Sequence, residues 1–185
     1  MKLNIVKIGN PILRKKARPI ALSRFRSKTF RVLLEEMART MRRARGVGLA
    51  ANQVDKDQRI FAMECRGNKR YPRVDSFPLQ VYLNPKIVRY SKATVEGYEG
   101  CLSIPGFRGS VPRSESVTLE ALTPNGKKIS KVFKGFEARV VQHEMDHLNG
   151  RFYIDRIKDW RTWMHLEEFN RAFGVKVRDN SRHRR

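Results

Sequence analysis

The apolar positions of the chain predict helices on either side of a strand-rich middle. Between Thr29 and Ala44, apolar residues recur every three or four positions and the pattern stops before Gly46, as in an amphipathic helix that ends at a glycine. A second helix is predicted from Gly135 to Leu148 and would end at Asn149 and Gly150. The apolar stripe of the first helix comprises Phe30, Leu33, Leu34, Met37 and Met41.

A last helix is predicted to begin near Asp159. Much of its apolar stripe would be formed by Trp160, Trp163, Met164 and Phe173. A chain of 185 residues fits one domain. We therefore predict a single catalytic domain from 1 to 174, followed by a basic tail from 175 to 185 that we expect to lack a fixed structure.

Strand-like segments fill the region between the helices. They are rich in β-branched and aromatic residues and are bounded by turn residues. The Asn125-Gly126 pair, preceded by Pro124, lies between the last two segments and predicts a β-hairpin. These strands and helices together predict an α+β fold with mixed or antiparallel sheets. The predicted strands are Arg59–Cys65, Leu79–Asn84, Lys86–Tyr90, Val117–Leu122 and Ile129–Phe133.

The composition adds a strong positive charge to this picture. The formal net charge is +22, and the first 45 residues hold 14 Lys and Arg against 2 Glu, a net of +12. A field of this size favours polyanionic partners in a salt-dependent way. The alternative interpretation, a well-solvated basic surface without a polyanionic partner, stays open.

Two cysteines, Cys65 and Cys101, give no disulfide framework. Cys65 follows an apolar run and is expected to serve packing. Neither a run of about eighteen apolar residues nor a signal-peptide core is present, so we expect no membrane span and no export. A functional thiolate needs a reducing compartment, which predicts the cytoplasm, or an organellar matrix if a targeting segment has been removed.

The chemistry is carried by two histidines and a cysteine. His143 and His147 lie four apart in QHEMDH, so on a helix both imidazoles would reach one divalent ion, with Glu144 beside a water bound to it. Cys101, in EGCLS, would be the third ligand. Three protein ligands leave one coordination position open, as catalytic metal sites require.

Other residues could supply the third ligand. In the HExxHxxGxxH protease pattern the glycine is matched by Gly150, but the last histidine is replaced by Tyr153. A glutamate about twenty residues downstream, such as Glu167 or Glu168, remains an alternative and would make the protein a zinc metalloprotease. We prefer Cys101 because a thiolate is the better ligand for a borderline or soft ion.

A third motif, GVGLAANQ at residues 46–53, precedes EGCLS and HEMDH in a fixed order. These three motifs match GxGLAAxQ, EGCLS and HExxH, and the chain from about Ile5 to about Ile157 resembles the peptide deformylase family. The resemblance implies a metal-dependent hydrolase that removes the formyl group from the formylmethionine of nascent polypeptides. It also implies sheets wrapped around the central helix that bears HExxH.

The resemblance assigns roles to individual residues. Cys101, His143 and His147 would bind the metal, usually Fe²⁺ in this family, with Zn²⁺, Ni²⁺ or Co²⁺ able to substitute. Glu144 would act as general base and then as general acid. The oxyanion would be held by the ion, the backbone N–H of Leu102 and the side-chain amide of Gln53.

The substrate pocket follows from the same motifs. Gly46 and Gly48 suit a close approach of a peptide main chain, because a glycine has no Cβ. Val140, one turn before His143, is the first candidate for the apolar wall that receives the methionine side chain. Val47 and Leu102 are further candidates.

Two arginines also bear on the pocket. Arg139 stands where the family generally has an apolar residue, and we expect it to point past the pocket toward solvent or an acid such as Glu99. Arg108 resembles a family position that braces the active-site loop, and we expect it to pair with Glu99. The alternative for Arg108 is an ordinary surface arginine.

The expected partners are nascent formylmethionyl peptides and, through the basic surface, ribosomal RNA. No membrane and no stable DNA partner are expected. One rival from another class is a non-catalytic RNA-binding protein with a structural metal, which the charge alone would support. That rival leaves GVGLAANQ unexplained.

Overall fold

A computed structural model describes residues 3–66 and 76–174, and the predicted basic tail lies outside these ranges. Within these ranges, three α-helices and eight strands form one domain of the predicted α+β class. The helices are α1 Lys28–Arg43, α2 Gly135–Leu148 and α3 Leu166–Ala172. The strands are β1 Gly48–Ala50, β2 Ile60–Cys65, β3 Phe77–Tyr90, β4 Thr94–Cys101, β5 Ile104–Ser114, β6 Ser116–Leu122, β7 Lys128–Lys134 and β8 Met164–His165.

The strands form two antiparallel sheets. A five-stranded sheet has the order β1-β2-β3-β6-β7, and a three-stranded sheet has the order β4-β5-β8. The two strands predicted at 79–84 and 86–90 are parts of the continuous β3, which bends where its register with β6 shifts between Leu83 and Lys86. Asn84 lies at this shift with φ of 49°, a conformation that asparagine tolerates better than most residues.

The predicted hairpin joins β6 to β7. Gly126 adopts φ of +81°, and its N–H donates to the carbonyl of Thr123, which closes the turn. Val117 and Leu119 of β6 and Phe133 of β7 are buried, while the residues between them alternate to the other face. The alternation places one face of this hairpin in the core.

Helix α2 is the element around which the core forms. Its bounds are those predicted from the sequence. Val141 and Leu148 are fully buried, and Val140 and Met145 nearly so, in one apolar cluster with residues of β2, β6 and β7. Burying each such side chain contributes about 1.5–3 kcal/mol, which fixes the helix on the sheet and with it the orientation of the histidines.

The predicted last helix is wrong in its first half. Asp159 caps a short 3₁₀ turn at Trp160–Thr162, the next residues pair with β5 as β8, and α3 begins at Leu166. The reason is tertiary: the ring of Trp163 stacks on Phe107 of β5 with centroids 4.3 Å apart, which holds the backbone extended. Among the described residues, no helix is long and apolar enough to cross a membrane.

Candidate metal centre and catalytic pocket

The three predicted ligands lie together between the two sheets. Cys101 ends β4, and His143 and His147 lie on the same face of α2, one turn apart. Their ligand atoms all lie within 4.8 Å of one another, and Sγ of Cys101 is 3.1 Å from Nε2 of His147. Cys101 and His147 are buried, and His143 is nearly so. The fold thus brings one sulfur and two imidazoles to a single point.

Glu99 orients one of these imidazoles. Nδ1 of His143 donates to Oε2 of Glu99 over 2.8 Å, which leaves Nε2 available to a cation. Burial of Glu99 favours its neutral form, but the charge and hydrogen bonds of Arg113, and then those of His143, outweigh burial and hold its pKa well below the usual range. Glu99 is therefore a carboxylate, so Nδ1 of His143 carries the hydrogen of this bond.

The electrostatics of the site favour the thiolate of Cys101. Burial raises the pKa of the Cys101 thiol. The charges and hydrogen bonds of His147 and His143 outweigh burial, so the pKa lies well below its ordinary value. The thiolate is the ligating form of cysteine. One thiolate and two imidazoles at this spacing are the donor set of a catalytic transition-metal site, so the residues fit a divalent ion.

Glu144 is buried beside the ligands with an unsatisfied carboxylate oxygen. Its side chain is 3% exposed, and Oε2 has no hydrogen-bond partner among the described residues. Burial raises the pKa of Glu144 to about 7. A carboxyl that titrates near neutral pH is able both to take up and to release a proton, which a general acid and base requires.

Gln53 reaches the same centre from the segment after β1. Its Nε2 donates to Oγ of Ser103 at 3.2 Å and lies 3.5 Å from Sγ of Cys101, while its Oε1 accepts from the N–H of Ala50 at 2.9 Å. The contact of Oε1 with the N–H of Ala50 fixes which end of the side-chain amide faces the site. A neutral donor is thereby positioned beside the sulfur.

A cavity of 340 Å³ opens beside the donor group. It is lined by the motif segments that carry Gly46, Val47 and Gly48 and those that carry Cys101 and Leu102. Helix α2 contributes Phe136, Arg139, Val140, His143 and Glu144 to its wall. All predicted substrate-binding residues line this cavity, although whether each contacts a substrate stays a prediction.

The two glycines are needed by the protein's own packing. A Cβ on Gly48 would lie 2.7 Å from Cδ of Glu144, and a Cβ on Gly46 would lie 2.7 Å from Cδ1 of Leu102. Real Cβ contacts are not this short, so neither position accepts a larger residue without displacing a site residue. The absence of side chains at 46 and 48 thus allows Glu144 and Leu102 to face the cavity.

Arg139 binds Glu99, as predicted, but it also lines the cavity that it was expected to point past. Its Nη1 lies 2.9 Å from Oε1 of Glu99, and its guanidinium also donates to the carbonyls of Val95, Gly97 and Val111. The room for this group comes from Gly97, because a Cβ there would lie 2.9 Å from Cζ of Arg139.

The predicted pairing of Arg108 with Glu99 is wrong. Arg108 is buried and donates to the carbonyl of Phe107, and its guanidinium occupies the space that a Cβ on Gly100 would take. Arg113 binds Glu99 instead, through two hydrogen bonds of 2.9 Å. Arg108 therefore lies against the end of β4 that carries Cys101, but a different arginine neutralises the glutamate.

Arg113 and Asp146 belong to the site but were not predicted from the sequence. Arg113 bridges Glu99 and Asp146, and Arg156 binds both carboxylate oxygens of Asp146. Asp146 lies on α2 beside His147, so this network ties the ligand helix to β4 and β5. A helical position three residues after His143 was the available sequence signal for Asp146, but nothing identified its partner.

Glu167, the alternative third ligand, is placed elsewhere. It lies in the first turn of α3 with a side chain 81% exposed, and it is not part of the donor group. Cys65 is buried in the apolar core, as expected, and both cysteines are free thiols.

Comparisons with known proteins agree with this geometry. The family model for polypeptide deformylase matches residues 2–163. Peptide deformylase 2 of Pseudomonas syringae pv. tomato is 41% identical over 157 residues, which are 85% of this chain and 88% of that protein. Peptide deformylase 1 of Bordetella pertussis is 42% identical over 155 residues, which are 84% of this chain and 87% of that protein.

Solved structures give the same result. The Met-Ala-Ser-bound class I type b peptide deformylase from Acinetobacter baumannii superimposes with a TM-score of 0.83 at 40% identity, covering 85% of this chain and 99% of that one. A peptide deformylase from Synechococcus elongatus in complex with actinonin has a TM-score of 0.77 at 33% identity, covering 95% of this chain and 89% of that one. The chain therefore belongs to the peptide deformylase family.

Proposed function

We propose that this protein hydrolyses the amide bond between the formyl group and the amino-terminal methionine of nascent polypeptides, releasing formate. One observation carries the proposal: the ligand atoms of Cys101, His143 and His147 lie within 4.8 Å of one another beside the buried carboxyl of Glu144. The family supplies the substrate class, and a relative of solved structure is bound to Met-Ala-Ser.

Cys101, His143 and His147 would hold one divalent transition-metal ion. We propose Fe²⁺ as the native ion, with Zn²⁺, Ni²⁺ or Co²⁺ able to take the same ligands, because all of them accept thiolate and imidazole donors. When bound, the ion would polarise the formyl carbonyl and lower the pKa of a water. Glu99 would keep His143 in the ligating tautomer.

Glu144 would move the protons of the reaction. In the first step it accepts the proton of the attacking water, and in the second it delivers a proton to the leaving amine of methionine. Its burial next to the ligands supports both roles, because the resulting pKa of about 7 places the carboxyl between its two protonation states at neutral pH.

Gln53 and Leu102 would stabilise the developing oxyanion. The Nε2 donor of Gln53 is held beside Cys101, and Leu102 follows Cys101 at the edge of the cavity. Donors fixed in advance cost no reorganisation when the charge develops. Removing one of them typically lowers turnover about 100-fold or more.

The methionine side chain would occupy the apolar part of the cavity. Val140 of α2 would form its wall, with Val47, Leu102 and Phe136 of the same cavity beside it. The main chain of Gly46 and Gly48 would pair with the peptide. A flexible thioether suits a pocket of mixed shape. Arg108 would brace the opposite side, where it lies against Gly100.

The domain division, the location and the RNA partner of the protein are also proposals. We propose a catalytic domain from 1 to 174 followed by a basic tail. We also propose a cytoplasmic or organellar-matrix location and contact with ribosomal RNA, which would place the protein where nascent chains appear. The charge of +22 supports the RNA contact. Pelleting with ribosomes at two salt concentrations checks it: binding that falls with salt supports the contact, and equally weak binding at both removes it.

Formate release tests the proposed reaction. The protein, kept anaerobic, is mixed with formyl-Met-Ala-Ser, and formate and Met-Ala-Ser are measured together. Equal amounts of both products are expected. Cleavage of the Met-Ala or Ala-Ser bond would indicate a protease instead, and RNA binding without any hydrolysis would indicate the non-catalytic alternative.

A further inference from the structure

A short segment near the start of the chain contacts both parts of the site that carry the proposed oxyanion donors. The N–H of Val6 donates to the carbonyl of Gln53 over 2.9 Å. The N–H of Ile8 donates to the carbonyl of Ser103, also over 2.9 Å. Lys7 lies between these two anchors. The segment is therefore joined to the site, although it belongs to none of the three sequence motifs.

The side chain of Lys7 binds the turn that follows Cys101. Its Nζ donates to the carbonyl of Leu102 over 2.8 Å, and both residues line the cavity. Leu102 and Ser103 form the two-residue connection between β4 and β5. Because the donor is a cation, this hydrogen bond is stronger than one between two neutral groups.

The peptide unit between Leu102 and Ser103 is held at both of its ends. Its carbonyl accepts from Lys7, and its N–H, which belongs to Ser103, donates to Sγ of Cys101 over 3.4 Å. The C=O and the N–H of a trans peptide unit point in opposite directions, so fixing one fixes the other. Ser103 is fully buried, which keeps water from competing for its N–H.

The cation also changes the strength of the hydrogen bond on the sulfur. Linked hydrogen bonds polarise one another, so a charged donor on the carbonyl makes the N–H of the same peptide unit a better donor. Hydrogen bonds to a ligating sulfur tune the ion that the sulfur holds. The N–H of Leu102 lies in the preceding peptide unit, and its direction depends on the same turn.

We propose that Lys7 is a positioning residue of the reaction. It orients the peptide unit between Leu102 and Ser103, and with it the hydrogen bond on Cys101 and the oxyanion donor of Leu102. This inference rests on the proposed deformylation and adds to it a residue outside the three motifs. Lys7 is exposed, so the apolar core does not depend on it.

Steady-state kinetics with formyl-Met-Ala-Ser provide the first test. Lys7→Met nearly keeps the length of the side chain but removes its charge and its donor. The value of kcat is expected to fall about tenfold, while KM stays within about twofold. Lys7→Arg restores a cationic donor and should recover about half of the unmodified kcat or more.

The absorption spectrum of the Co²⁺-loaded protein provides a readout that does not depend on turnover. Loss of the Lys7 contact weakens the hydrogen bond on the sulfur, so the sulfur-to-cobalt charge-transfer band should shift in Lys7→Met and return in Lys7→Arg.

Lys15→Met is the matched control, since Lys15 is another exposed lysine near the start of the chain and does not line the cavity. Its kcat and its cobalt spectrum should equal those of the unmodified protein. Thermal melting verifies that each variant is folded, and Lys7→Gln carries the same test if the methionine variant is not.

Three results would contradict the role of Lys7 while leaving deformylation intact. They are an unchanged cobalt spectrum in Lys7→Met, a KM that rises while kcat stays the same, and a loss in Lys15→Met equal to that in Lys7→Met. Absence of formate from the unmodified protein would instead overturn the proposed function and, with it, any role of Lys7 in turnover.

Discussion

Nδ1 of His143 lies 2.8 Å from Oε2 of Glu99, a carboxylate that Arg113 and Arg139 also bind. The glutamate fixes the hydrogen on one ring nitrogen and leaves the other for a cation. Binding of the ion should therefore depend on a residue that does not itself touch the ion.

Replacing Glu99 by glutamine is expected to weaken metal binding about 10- to 100-fold. The amide does not demand the Nδ1–H tautomer as strongly, and it removes the negative charge that Arg113 and Arg139 share. Dissociation constants for Zn²⁺ and Co²⁺, measured by competition with a chelator, check this. Glu96→Gln, on the exposed part of the same strand, should bind as the unmodified protein does, and equal affinity in both variants would contradict the assigned role.

Glu144→Gln should abolish turnover without releasing the ion. The amide is nearly isosteric but cannot accept the proton of water, so kcat should fall by a factor on the order of 100 to 10,000. Metal analysis of the same sample should still find one ion per chain. A glutamine variant that keeps more than about a tenth of the activity would exclude Glu144 as the base.

Gly97 and Arg139 should behave as one unit. Gly97→Ala places a Cβ 2.9 Å from the guanidinium and should displace it from its carbonyl partners, lowering the free energy of unfolding by about 1–3 kcal/mol. In an Arg139→Leu background the same alanine should cost much less. Urea unfolding of the two single variants and the double variant measures the coupling, and simple additivity would refute it.

Arg139→Leu should also leave substrate binding largely intact. The guanidinium points to Glu99 and to backbone carbonyls, and the aliphatic stem has an apolar replacement in leucine. The KM for formyl-Met peptides should change less than about tenfold, whereas a larger change would place the guanidinium in substrate recognition.

The ion pair between α1 and β2 gives a dependence of stability on pH. Hydrogen bonds from Arg42, and then from Arg66, hold the pKa of Glu64 below its ordinary value. The stabilisation is therefore complete above the unfolded pKa of about 4.3 and is lost as the pH falls through the lower folded value. Because both arginines are substantially exposed, it should amount to about 1 kcal/mol or less.

Glu64→Gln removes the titrating group and tests that sign. The difference in unfolding free energy between the unmodified protein and the variant should be larger at pH 7 than at pH 3. A difference of the same size at both pH values would show that Glu64 acts through packing rather than charge.

Elements whose sequence signal lies in neighbouring residues were predicted well. Helix α2 has the predicted bounds, since an apolar stripe is followed directly by Asn149 and Gly150. Strands β4 and β5 were not predicted. They are rich in glycine, proline and charged residues, and they are extended because each pairs with the other over the hairpin. Such pairing is a tertiary effect that single-strand propensity does not capture.

In the site, too, local signals were predictive and contacts set by strand pairing were not. Motif spacing was sufficient to pair the two histidines, because one turn of helix sets the distance between the imidazoles, and thiolate chemistry with the EGCLS motif added Cys101. The choice between Arg108 and Arg113 as partner of Glu99 was not accessible in this way. It depends on the register of β4 and β5, which shifts between Glu99 and Cys101. A one-residue shift changes which side chains face the helix.

Metal analysis and formate assay of one anaerobic sample test the central claim most directly. The unmodified protein should hold about one divalent ion per chain and release formate from formyl-Met-Ala-Ser. Cys101→Ala should lose both the ion and the activity, while Glu167→Ala should keep both. Retention of ion and activity in Cys101→Ala, or their loss in Glu167→Ala, would contradict a centre built from one sulfur and two imidazoles.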